Sequence, residues 1–151
     1  MQTNEIEQKK PQLTEEDARQ MIALVNARNT DQVVEHYAED ATFQVPALDS
    51  PLRGKEAIRS YLKESFEAFP DRTVDITKVF VSGDEIVIVN SVRGTHSGRL
   101  TGPDGKSIAP THKKFVEDQM TRVILNENGK VRSLRAYGNP AERYRQLGLA
   151  K

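Results

Sequence analysis

Residues 37–58 read YAEDATFQVPALDSPLRGKEAI. Within them ATFQV (41–45) is a short run carrying β-branched and aromatic residues, and it stops at Pro46, so it predicts a strand. Val45 is held extended there, because a residue before proline is pushed out of the helical region. Upstream, Thr30 or Asp31 can cap a short helix in which Val33, Val34, Tyr37 and Ala38 share a face. Downstream, Ala57, Ile58, Tyr61, Leu62, Phe66 and Phe69 recur at helical spacing, predicting a helix from near Gly54 that Pro70 stops.

Working outward, residues 1–12 are polar, contain Pro11 and show no periodicity; they are expected to form a disordered, mobile tail, with a single domain over 13–151. Thr14 followed by Glu15, Glu16 and Asp17 has the form of a helix cap with acids in the first turn, after which Ala18, Met21, Ile22 and Val25 make one apolar face. From Thr73 the period changes from helical to extended. VDITKVFV, the turn SGDE and IVIVNSVRG predict a hairpin, and GTHSGRLTGPDGKSIAP a long connection. KKFVEDQMTRVIL, with His112 at its start, predicts a long strand, NENG a tight turn and KVRSLRAY a closing strand. A last short helix has Asn139 as cap, Pro140 at its first position and Gly148 just past its end. Three helices and a run of mostly antiparallel strands make an α+β pattern.

The totals narrow the classes of function. At 151 residues the chain has the length of one domain with one core, burying roughly 68–70% of its unfolded surface. Lys plus Arg equals Asp plus Glu at 22 each, which argues against nucleic acid or an anionic membrane as partner. There is no cysteine, so disulfides and thiolate chemistry are excluded. No apolar run approaches about 18 residues and the N-terminus lacks the apolar segment of a signal peptide, so a soluble, cytoplasmic protein is expected. The three histidines, His36, His96 and His112, lack HxH or HxxxH spacing, and no metal or cofactor is expected.

The run DARQMIALVNARNTDQVVEHYAEDATFQVPALDSPLRGKEAI, followed by AFPD, GTH and NENGKVRSLRAYGNP, resembles the nuclear transport factor 2-like superfamily, and within it the ketosteroid isomerase and SnoaL-like polyketide cyclase branches. The likeness spans about residues 14–148. It implies a cone in which a strongly bent, mostly antiparallel sheet wraps around three N-terminal helices and encloses an apolar pocket, in a homodimer paired through the outer sheet face. It also places the parental chemistry. The general base of the isomerases falls on Val45, their tyrosine donor on Met21 and their second oxyanion partner on Thr121. The acid/base positions of the cyclases fall on Ser133, Leu134 and Ala136. Proton abstraction beside a carbonyl needs a group that titrates near the working pH, and Val, Met, Leu and Ala have none; a lone threonine hydroxyl does not replace an oxyanion pair.

Strand alternation then asks which polar groups share the pocket face. With Thr121 inward, Gln119, Glu117 and Phe115 are inward too. Glu117 is the candidate acid/base and Gln119 the candidate hydrogen-bond partner, against the plainer reading of Glu117 as a solvated carboxylate near the mouth. The pocket set is completed by Met21, Val45, Tyr61, Leu134 and Ala136, with Tyr61 most simply a core residue. Asn90, polar in an apolar strand, needs partners if buried. His96 or His112 can shuttle protons at the rim or simply bond the backbone. Three functions follow: binding of a small hydrophobic molecule of polycyclic or terpenoid kind, an isomerase, lyase or cyclase that uses Glu117 or a histidine, and a dimeric interaction module.

Overall fold

In a computed structural model, which describes residues 13–102 and 104–149, the first element is α1 (Glu15–Asn26). The residues read as a mobile tail, 1–12, lie outside the described ones. Thr14 caps α1 reciprocally: its Oγ1 accepts the Asp17 N–H at 3.2 Å, and Asp17 Oδ2 accepts the Thr14 N–H at 2.9 Å. The short α2 (Thr30–Glu35) is capped by Asn29, one residue before Thr30 and two before Asp31, the expected caps. It ends at His36, so Tyr37 and Ala38 belong to the strand β1 (Tyr37–Gln44) and not to a helical face. Pairing of Tyr37 with Val131 overrides the helical spacing there. A two-residue β2 (Leu52–Arg53) folds back on β1, and α3 (Lys55–Ala68) follows.

The remaining elements are β3 (Thr73–Ser82), β4 (Glu85–Thr95), β5 (Leu100–Thr101), β6 (Ser107–Ile108), β7 (Lys114–Leu125), β8 (Val131–Tyr137) and α4 (Pro140–Gln146). Six of the strands form one mixed sheet in the order β2-β1-β8-β7-β4-β3, in which only β1 and β8 run parallel. The glycine-containing connection holds the small β5–β6 ribbon. His112 does not begin the long strand: its φ is 58°, its N–H bonds the His96 carbonyl at 2.8 Å, and β7 starts only at Lys114.

Helices α1–α3 bury Ala18, Val34, Ile58 and Leu62 against Phe43, Ile86, Ile88 and Val123. A second cluster, toward the other end of β7, gathers Phe69, Val74, Val92, Phe115 and Leu147. The opposite sheet face carries the ion pairs Arg93–Asp75 and Arg122–Glu85 and leaves Phe80, Val116, Met120 and Tyr137 about half exposed. Among the described residues no helix is long and apolar enough to cross a membrane.

Candidate functional site

Strict alternation along β7 turns Phe115, Glu117, Gln119 and Thr121 to the helix-covered face, all four at 9% exposure or less, while Val116, Asp118, Met120 and Arg122 face outward. Neighbouring strands add to this face. Asn90 on β4 stands opposite Gln119, and Ala136 on β8 opposite Thr121. Three of the polar groups bond one another: the Thr121 hydroxyl donates to Asn90 Oδ1 at 2.9 Å, and Asn90 Nδ2 donates to Gln119 Oε1 at 3.5 Å. Asn90 thus finds the partners a buried amide needs, and the Thr121 hydroxyl proton is committed to it.

Glu117 is buried, not solvated, at 3% exposure. Its partner is Arg143 of α4, whose Nη2 lies 2.6 Å from Glu117 Oε1. The contact is close but not aligned as a hydrogen bond, so both carboxylate oxygens and Arg143 Nε remain without hydrogen-bond partners. Helix α4 is fastened to the half of β7 that β8 does not reach. There the Gln146 side chain imitates a strand, accepting the Val116 N–H at 2.8 Å and donating to the Val116 carbonyl at 2.9 Å. One turn apart on the same helical face, Arg143 and Leu147 are carried onto Phe115: the guanidinium lies 4.1 Å from that ring's centre and Leu147 is fully buried. The sequence reading missed Arg143. Its only signal is the four-residue spacing to Leu147 behind an Asn139 cap.

A second arginine also escaped that reading. Arg72 follows the turn that ends α3, where its N–H bonds the Phe69 carbonyl, and its guanidinium lies 5.6 Å from the Phe66 ring centre. Burial pushes its pKa down; Tyr61 and Glu117 oppose that, while Arg143 and Arg28 add to it. Tyr61, on α3 with its ring 5.5 Å from Phe43, has its hydroxyl pKa raised chiefly by burial, against the pull of Arg72 and Arg143. These side chains therefore share one electrostatic neighbourhood.

The other sequence-derived pocket residues are set apart from this cluster. Met21, Val45 and Leu134 are half-buried and pack on the first core cluster. Val45 lies one residue beyond β1, where its carbonyl accepts the Leu48 N–H at 2.9 Å. Of the expected pocket set only Met21 reaches the large cavity of about 1120 Å³, which lies beneath α1 between Leu24, Ile86, Leu125 and Val131 with Asp17, Asp84 and Glu127 also on its walls. The buried polar groups do not line it. Sequence reasoning did not indicate that space.

His96 is fully buried beside Phe69, and its Nδ1 accepts the Thr111 N–H at 3.2 Å. His36 and His112 are exposed, and no group of three or more His, Asp or Glu stands together for a metal among the described residues. Burial lowers the His96 pKa, assisted by His112 and opposed by a backbone hydrogen bond at Gly98. The unfolded chain therefore takes up the imidazole proton at a higher pH than the native state. The native state loses no stability to this group above the unfolded value of about 6.5, and loses it as pH falls from there through the lower folded value. Urea midpoints measured between pH 7 and 5 should fall with pH, and His96→Gln should flatten that slope; equal slopes would show that His96 does not set it.

With the fold and these groups in place, the chain can be assigned to a class. It belongs to the SnoaL-like polyketide cyclase family, whose pattern matches residues 16–147. No curated protein matches it. Among solved structures, it is similar to a hypothetical protein with a ketosteroid isomerase-like fold from Catenulispora acidiphila, in complex with trimethylamine, at 20% identity over 91% of this chain and 95% of that one, TM-score 0.73. IdmH of Streptomyces antibioticus, a candidate polyketide cyclase, is similar at 22% identity over 85% and 93%, TM-score 0.68. SalBIII, an epoxide hydrolase/cyclase-like enzyme in pyran ring formation in the polyether salinomycin, is similar at 19% identity over 84% and 91%, TM-score 0.68. These likenesses show a ketosteroid isomerase-like fold.

Proposed function

We propose that this SnoaL-like domain binds a small, mostly hydrophobic molecule of polycyclic or terpenoid kind on the helix-covered face of its sheet, without the acid/base chemistry of the parental isomerases and cyclases. The observation that carries the reading is that Met21, Val45, Leu134 and Ala136, where the resemblance places the parental chemistry, hold no titratable group, while a short buried row, Asn90, Gln119 and Thr121, supplies neutral polarity beside the paired Glu117. Such a surface orients one or two ligand oxygens and gains its affinity from apolar contact. The polyketide cyclase family, and a structural neighbour concerned with a polyether ring, support a carbon-rich ligand.

A ligand that binds only the folded chain stabilises it by about 2.7 kcal/mol at one hundred times its Kd. For a chain of this size that raises Tm by roughly 5–10 °C. A thermal screen with flat polycyclic and terpenoid compounds should find such shifts, and none at the solubility limit would sink the reading. The domain is further proposed to pair with a second copy through its outer face, where Met120 and Tyr137 stand directly opposite one another and are half exposed, flanked by Val116 and Phe80. Sedimentation at micromolar concentration should give a dimer that Met120→Glu splits; a clean wild-type monomer would dismiss it.

A further inference from the structure

The Arg143 guanidinium and its partner carboxylate Glu117 meet at the Phe69–Phe115 ring pair, with a second guanidinium, that of Arg72, over the nearby Phe66. Phe69 and Phe115 meet edge-on with centroids 5.0 Å apart, and Arg143 lies over both. The Arg72 backbone borders the same ring pair across Gly94, and its guanidinium lies over the neighbouring Phe66. At Gly94 a β-carbon would stand 3.2 Å from Phe69 Cβ, 3.3 Å from Phe115 Cε1 and 3.5 Å from Arg72 Cα. The charges do not cancel, since Glu117 faces Arg143 at 2.6 Å while Arg72 has no ion pair and no side-chain hydrogen bond with any described residue. Arg28, next along, does not relieve it: its own guanidinium donates to the carbonyls of Pro70 and Arg72 at 2.9 and 3.0 Å and adds positive charge. Arg72 Nη1 and Arg143 Nε are buried donors without protein acceptors.

Buried donors without acceptors and a half-buried charge without a partner are both costly, and folds keep them where something else supplies the acceptor. We propose that Arg72, with Arg143 beside it, binds a carboxylate carried by the hydrophobic ligand. This inference rests on the ligand-binding reading above and names the polar end of that ligand. A carboxylate fits on two counts. The Arg72 guanidinium has no anionic partner, and a carboxylate supplies one. The planar fork of a guanidinium matches the two oxygens of a carboxylate. The half-buried Phe66 ring beneath the Arg72 guanidinium gives the adjoining carbon skeleton an apolar surface.

The test compares anthracene-2-carboxylate with its methyl ester by calorimetry on the full chain, alongside sodium acetate. Hydrogen bonds to a charged group set the expected preference: the acid should bind on the order of 10- to 100-fold tighter than the ester, and acetate alone should bind far more weakly than the acid. Arg72→Gln should abolish the preference while the ester still binds, and an unchanged far-ultraviolet dichroism spectrum would show the variant folded. Equal affinity of acid and ester for the wild type overturns this inference and leaves the hydrophobic-ligand reading standing. Binding of neither overturns both. A preference that persists in Arg72→Gln removes the assignment to Arg72.

Discussion

Arg143→Met is expected to destabilise the protein by about 3–5 kcal/mol, the cost of leaving one member of a buried ion pair without its partner. The pair qualifies as buried because side-chain exposure is 2% for Glu117 and 13% for Arg143. Methionine keeps the aliphatic stem but loses the guanidinium over Phe115, so the effect joins the stranded carboxylate to a lost cation–π contact. The asymmetry in exposure orders the other variants. Glu117→Gln should cost less, since the guanidinium it abandons retains more contact with solvent than the carboxylate does. The double variant should be more stable than Arg143→Met alone, because removing Glu117 removes the stranded charge. Urea unfolding of the four proteins forms a cycle, and its coupling energy should be large and favourable. An Arg143→Met midpoint within about 1 kcal/mol of wild type would mean that Glu117 is not held by Arg143, and α4 would lose its role as the element that closes this end of the sheet.

The same pair shows which part of the arrangement was open to a reader of the sequence. The inward set Phe115, Glu117, Gln119, Thr121 follows from the pleat alone, because one strand alternates whatever lies beside it. What each inward group touches depends on register and topology, which are not local. Thr121 spends its hydroxyl proton on Asn90 because β4 sits beside β7 in one particular register. Glu117 meets an arginine because a short helix after the last strand folds back onto the part of β7 that β8 leaves uncovered. Arg72, coming just after a helix-stopping proline, has the local signature of a surface loop residue. Only the turn that binds its N–H to Phe69 brings it inside. Tyr37 and Ala38 mark the opposite failure: a locally sound helical spacing yields to strand pairing supplied from the far end of the chain.

Gly98→Ala should cost on the order of 3 kcal/mol, although the position lies in a loop, where substitutions are usually tolerated. The loop is laid against the end of α3: the N–H groups of Ser97 and Gly98 both donate to the Ala68 carbonyl, at 3.2 and 3.1 Å, satisfying an acceptor at the helix terminus. A β-carbon at Gly98 would stand 1.7 Å from the Glu67 carbonyl oxygen and 2.8 Å from its carbon. The obstacle is backbone, so no side-chain rotation relieves it; the loop must lift and give up both hydrogen bonds, each worth about 1 kcal/mol. Lifting it also loosens the cover over His96, which is fully buried immediately before Ser97. Gly129→Ala is the comparison that separates this clash from ordinary glycine strain. Gly129 has a φ of 78° with nothing within 4 Å of an added β-carbon, so its cost is the left-handed conformation alone, about 1–2 kcal/mol. Thermal unfolding should place Gly98→Ala below Gly129→Ala and both below wild type. If Gly98→Ala melts with wild type, the loop does not hold the end of α3, and the burial of His96 needs another cause.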